Sequence, residues 1–169
     1  SPMEITATIL LDYLHQKALH PSSIPATIED YAILQAVTRQ ALYLAMQSAR
    51  RDFPRNIASI KPTLSPLFEP ILASGGALSD ASHPGRSLLL LLDSVQPVGV
   101  TTIILDQNNL LPLLGAAASQ NNLLPVQVLE SGAFMSIGTV ISPDITTSYN
   151  TPILRAKLTY ENGAEARVD

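Results

Sequence analysis

The chain has 169 residues, a formal net charge of -4 and no cysteine. That length supports one domain, or one domain and a fragment, with a real core, and the missing cysteines exclude disulfide frameworks and thiolate metal sites. Hydrophobic residues make up 46% and charged residues 14%, a balance that leaves apolar surface for a partner and, without a basic stripe, argues against nucleic acid. No apolar run approaches the ~20 residues a membrane helix needs, since Leu88 to Leu92 is bounded by Arg86 and Asp93. Ser1-Pro2-Met3 starts no basic-then-apolar leader, so the expected compartment is the cytoplasm.

Helical spacing of Ile5, Ile9, Tyr13 and Leu14 predicts a first helix over Glu4 to Leu19, with His15, Lys17 and His20 at its carbonyl end. Pro21 to Pro25 reads as an extended connector. Thr27 is placed as an N-cap with Asp30 three residues on, opening a long helix from Ile28 to Asp52. Tyr31, Leu34, Val37, Ala41, Leu44 and Ala45 share one side of it and Ile33, Leu42, Tyr43 and Met46 flank them, so the helix is expected to be mostly covered. Prolines at 54, 62, 66 and 70 predict an irregular approach to a strand at Pro70 to Ser74. Gly75-Gly76 ends that strand, a loop covers Ser79 to Gly85, and a helix follows from Arg86 to Gln96. Val100 to Leu105 is a β-branched run suited to a buried strand. A helix is expected over Asn108 to Ser119 with Pro112 in its first turn, and a shorter one over Leu123 to Glu130. Beyond Ser131, strands are expected at Phe134 to Ser142 and Ile153 to Tyr160. A turn at Glu161-Asn162-Gly163-Ala164 then returns into Glu165 to Asp169.

Strands and helices thus alternate around the double glycine, which implies a layered α/β unit with ligands favoured at the carboxyl ends of the strands. The division expected is a helical and α/β part over residues 1–130 and a small β element over 131–169. A returning strand that stops at residue 169 is the pattern of a chain cut within a larger protein.

Four stretches carry a family resemblance. They are LHQKALHPSSIPATIEDYAILQAVTRQAL, PILASGGALSDASHPGRSLLLLLDSVQPVGVTTIILDQNNLLPLLGAAA, VQVLESGAFMSIGTVISP and ILRAKLTYENGAEARVD. Together they resemble the C-terminal part of the glutamate mutase L family, the MutL-type accessory proteins found beside adenosylcobalamin-dependent mutases. That family is similar to the actin, heat-shock-protein and sugar-kinase superfamily, in which two ribonuclease H-like halves close around ATP. The resemblance therefore implies part of a ribonuclease H-like (actin-like ATPase) domain with flanking helices and a small C-terminal β-hairpin. It implies ATP or ADP with magnesium in a complete protein, with none held tightly here. It also matches Ser74, Gly75, Gly76 and Ala77 to the adenosine motif. This sequence holds none of the glycine-rich, aspartate-bearing strand hairpins that grip phosphates in such ATPases, so at most half a nucleotide site is expected and no ATP hydrolysis by this chain alone.

Each candidate has a plainer reading beside the sharper one. Gly75-Gly76 either lets backbone approach a nucleoside or makes a strand-to-helix turn with no ligand. Asp106 faces a ligand or metal, or caps the turn that follows it. Arg86 approaches an anion or lies in solvent. Asp93 belongs on the solvated side of its helix, and His15, His20 and His83 lack metal-ligand spacing. Ser74 and Ser131 have no paired base, so nucleophilic catalysis has no support and no catalytic residue is assigned. Two functions remain: a nucleotide-dependent, chaperone-like accessory factor acting on a protein partner such as a cobalamin mutase, and a non-catalytic assembly module that binds a partner or another copy of itself.

Overall fold

The computed structural model describes residues 5–53, 67–81, 83–145, 147–160 and 162–168. Helix α1, Ala7–Leu19, begins where the Thr6 side chain accepts from the Ile9 amide, and none of its residues is buried. Helix α2, Ile28–Ala49, opens on a complete capping box: Thr27 Oγ1 accepts from Asp30 N at 3.0 Å and Asp30 Oδ2 accepts from Thr27 N at 3.2 Å. Two exposed amides of the first turn gain partners in this way. The helix stops three residues before Asp52, and its coverage is less than its composition predicts. Only Ile33 and Leu34 are buried and Leu44 is 53% exposed. An apolar stripe states what a helix can bury, and among the described residues only α4 gives α2 an extensive partner. Pro54, Pro62 and Pro66 lie outside the described residues.

Strand β1, Ile71–Ser74, runs parallel to β2, Gly99–Asp106, in a register that sets Ser74 beside Asp106. The crossover between them contains a one-turn helix α3, Gly76–Ser79, which was not expected between the double glycine and the loop placed at Ser79 to Gly85, and then α4, Pro84–Val95. Helix α4 starts two residues before Arg86 because Pro84 fits the first helical position, where no amide hydrogen is needed. It ends at Gln96, whose φ of 50° is left-handed. Gly99 then has φ +85°, a left-handed conformation that favours glycine, and a Cβ there would meet only the end of the exposed Leu67 side chain, at 2.7 Å.

After β2 come α5, Leu111–Ala118, and α6, Leu123–Glu130, before β3, Met135–Ser142, returns antiparallel to β2. The ladder slips between Ile103 and Ile104, opposite Gly138, the signature of a bulge. The result is a three-stranded sheet in the order β1-β2-β3 with α4 packed on it. The core joins Ala73, Ile103 and Leu105 of the sheet to Leu78, Leu90 and Leu91 of the crossover. Burying each Leu or Ile there contributes about 1.5–3 kcal/mol. Two serines enter this apolar layer with their hydroxyls satisfied: Ser87 donates to Leu78 O at 2.6 Å and Ser94 donates to Leu90 O.

Strands β4, Ala156–Thr159, and β5, Glu165–Val168, pair antiparallel as a separate two-stranded sheet. β4 is shorter than the alternation of residues 153–160 predicts. Asn162 and Gly163 make the expected turn, closed by Gly163 N to Tyr160 O and Tyr160 N to Ala164 O, both 2.8 Å. The architecture is mixed α/β with a small sheet and several helices.

Candidate functional site at the carboxyl ends of the parallel strands

Strands β1 and β2 point the same way, so Ser74 and Asp106 finish side by side and the chain leaves both ends by turns. On the β1 side, Gly75 has φ 120° and ψ 144°, a backbone region that only glycine occupies readily. No protein atom lies within 4 Å of a Cβ built at Gly75, so the torsion, and no collision, requires glycine there. Gly76 is different. Its φ is ordinary, and a Cβ there would meet only Asp80 Oδ2, the end of a flexible side chain, at 3.3 Å.

On the β2 side, Asp106 is fully buried, with 0% exposure. Its Oδ1 accepts from Leu110 N at 2.9 Å, and its Oδ2 accepts from Leu111 N at 2.8 Å and from Ser74 Oγ at 2.9 Å. Burial alone would raise its pKa. The Leu111 and Leu110 amides, the Ser74 hydroxyl and the Asn108 amide outweigh that and hold the carboxyl below its usual value. Asp106 therefore locks the turn into α5 to the end of β1.

One residue ties the two turns together. Asn109, with φ 52°, accepts at Oδ1 from Gly75 N at 3.0 Å, and Ser74 Oγ stands 3.3 Å from the same oxygen. Asparagine is among the few residues that tolerate a left-handed backbone. Beside this junction opens a cleft of about 470 Å³, lined by Gly76, Ala77, Asp80 and Asn109 on the strand-end side. Lys17 and the connector residues Pro21 to Ser23 and Pro25 line it from α1, and Tyr31 and Leu34 from α2. Lys17 Nζ donates to Ser23 O at 2.6 Å, fixing the connector against α1. The Tyr31 hydroxyl is buried and, among the described residues, has no hydrogen-bond partner.

The structure thus brings Gly76 and Ala77 to the cleft, sets Ser74 and Gly75 behind them, and places Asp106 beneath both as a buried acceptor. Arg86 stands elsewhere. Its guanidinium lies 5.5 Å over the Tyr31 ring and lines a neighbouring groove between α2 and α4 with Arg39, Leu89 and Asp93. Asp93 is exposed, as its helix position predicts, and pairs with Arg39 at 3.5 Å. His15, His20 and His83 are exposed, and among the described residues no three His, Asp or Glu side chains gather to hold a metal ion. The cleft presents one lysine, one carboxylate, an asparagine amide and a tyrosine among apolar and small residues, and among the described residues no set of carboxylates or imidazoles gathers there to hold a metal ion. Sequence reasoning missed Asn109, Lys17 and Asp80, because none belongs to a motif. The only signal for Asn109 was an asparagine pair just after a strand end, where turn residues are expected.

Protein-family comparison matches residues 3–132 to the family described as MutL protein. No curated protein and no solved structure matches the chain.

Proposed function

The chain belongs to the MutL protein family, and from that premise we propose that it is part of a nucleotide-binding accessory protein in which the cleft beside Gly76 binds a nucleoside. The observation that carries the reading is the cleft's position at the carboxyl ends of two parallel strands, with Gly76 and Ala77 in its wall. Open α/β sheets place ligands there. Gly76 adds to it: with an ordinary φ and only a mobile carboxylate nearby, the fold makes little demand for glycine, whereas a ligand approaching the backbone does. The wider reading is a ribonuclease H-like, actin-like lobe whose closure on ATP or ADP with magnesium acts on a protein partner. By the family's association that partner is an adenosylcobalamin-dependent mutase, served in a chaperone-like or reactivating way. A second lobe would hold the phosphates and the metal.

Adenosine, ADP and ATP titrated into the protein test this, read by the amide resonances of Gly75, Gly76 and Ala77. Adenosine is expected to shift them, with ADP binding no more than a few-fold tighter because this chain supplies the nucleoside wall. Gly76→Val should abolish the shifts and leave the fold intact. Adenosine leaving all three resonances unmoved would overturn the reading. A non-catalytic assembly module would then stand, favoured by the apolar side chains that α5 and α6 leave in solvent, among them Leu113 at 67% and Leu123 at 69% exposure.

A further inference from the structure

The hydrogen-bonding state of Asn109 is settled by its neighbours. A backbone N–H only donates, so the side-chain atom 3.0 Å from Gly75 N must be the carbonyl Oδ1 and cannot be the amide nitrogen. Ser74 Oγ lies 3.3 Å from that oxygen, but it has a single proton and stands closer, at 2.9 Å, to the charged Asp106 Oδ2. The charged acceptor takes it. Oδ1 is therefore held from the strand-end side, and Nδ2, with two protons, is left over. Among the described residues none accepts a hydrogen bond from it, and Asn109 is an exposed residue lining the cleft with Gly76 and Ala77.

We infer that Asn109 is a ligand-binding residue of the cleft, its Nδ2 donating to an acceptor atom of the bound nucleoside. This rests on the nucleoside reading above and adds to it a chemical requirement: an acceptor on the part of the ligand that lies beside the Gly75–Gly76 turn. Asp80, on the same wall, supplies the complementary acceptor for a ligand hydroxyl. Asn109 thus reads the ligand with the same amide that secures the turn. The Gly75 N–H fixes the direction of the donor before any ligand arrives, so little side-chain order is lost on binding.

A purely structural Asn109 would need only its oxygen, and that separates the two roles. Asn109→Asp keeps the acceptor for Gly75 N and removes the donor. It should fold with an unchanged thermal midpoint and bind adenosine about three- to tenfold more weakly, the loss expected when one directed hydrogen bond disappears. Asn109→Gly, which suits the left-handed backbone, guards against a folding defect of the aspartate variant and should show the same weakening. Wild-type affinity in either folded variant would overturn the assignment while leaving the nucleoside reading intact. Adenosine failing to bind the wild-type protein would overturn both.

Discussion

Replacing Asp106 by Asn isolates what the buried carboxylate does. Oδ1 holds one backbone N–H and Oδ2 holds another together with the Ser74 hydroxyl. An amide has one acceptor oxygen, so in either orientation its NH2 faces a backbone donor, and that donor loses its partner where no water reaches. A buried donor left unpaired costs about 1–3 kcal/mol, and losing charge assistance in the surviving bonds adds about 1 kcal/mol. The expected loss is about 2–4 kcal/mol from a total that in single domains runs about 5–15 kcal/mol. For a chain of this size the thermal midpoint should fall by roughly 4–16 °C. Urea unfolding followed by circular dichroism measures it, with Asp93→Asn as the control. Asp93 is a solvent-exposed carboxylate in a 3.5 Å ion pair, and its replacement should cost no more than about 0.5 kcal/mol. An Asp106→Asn protein as stable as that control would refute the account of the strand-end junction.

Gly75→Ala should destabilise by about 1–3 kcal/mol because φ 120° strains any side chain, whereas Gly76→Ala should stay within about 0.5 kcal/mol in the same urea assay. Thr27→Ala breaks the capping box of α2 and should cost about 1 kcal/mol, read as a lower thermal midpoint. Asp106 and Glu69 both have folded-state pKa values below their ordinary ones, Glu69 through the side-chain and backbone hydrogen bonds that Thr102 gives it, its Oε2 accepting from Thr102 N at 2.7 Å. Their contribution is therefore complete above the unfolded carboxylate range and is lost as the pH falls through about 4 towards the folded values. Stability measured against pH should drop in that window, and less steeply in Asp106→Asn, which lacks one of the two groups. An identical acid slope in the variant would remove Asp106 from the explanation.

Much of the fold was legible because the pattern and the packing agree. The TTIIL run is a strand because its β-branched residues fill a covered sheet, and Thr27 with Asp30 caps α2 because two short polar side chains reach two bare amides. The errors have equally local causes. The stripe on α2 promised burial, but burial needs a partner, and periodicity carries no information on how much surface its neighbours offer. The one-turn helix α3 is too short to show a period. At the site, the turn reading of Asp106 matches its observed bonds, since a buried aspartate one residue past a β-branched run has two amides within reach. Asn109 was not legible. Its role depends on a contact with Gly75, 34 positions earlier, that exists only once β1 and β2 lie in register, and no spacing rule within one turn reports it.

The buried carboxylate also shapes the electrostatic landscape of the cleft. Among the described residues no cation pairs with Asp106, so a whole negative charge is answered only by amide and hydroxyl dipoles, inside a medium that screens poorly. On the strand-end wall Asp80 adds a second negative charge, while the cation of the cleft, Lys17, stands on α1. The cleft is thus polarised, negative at the strand ends and positive at the helix. Added salt screens the half-buried Lys17 more than the fully buried Asp106, so raising the ionic strength weakens the field at the helix side of the cleft first and leaves the strand-end side nearly unchanged.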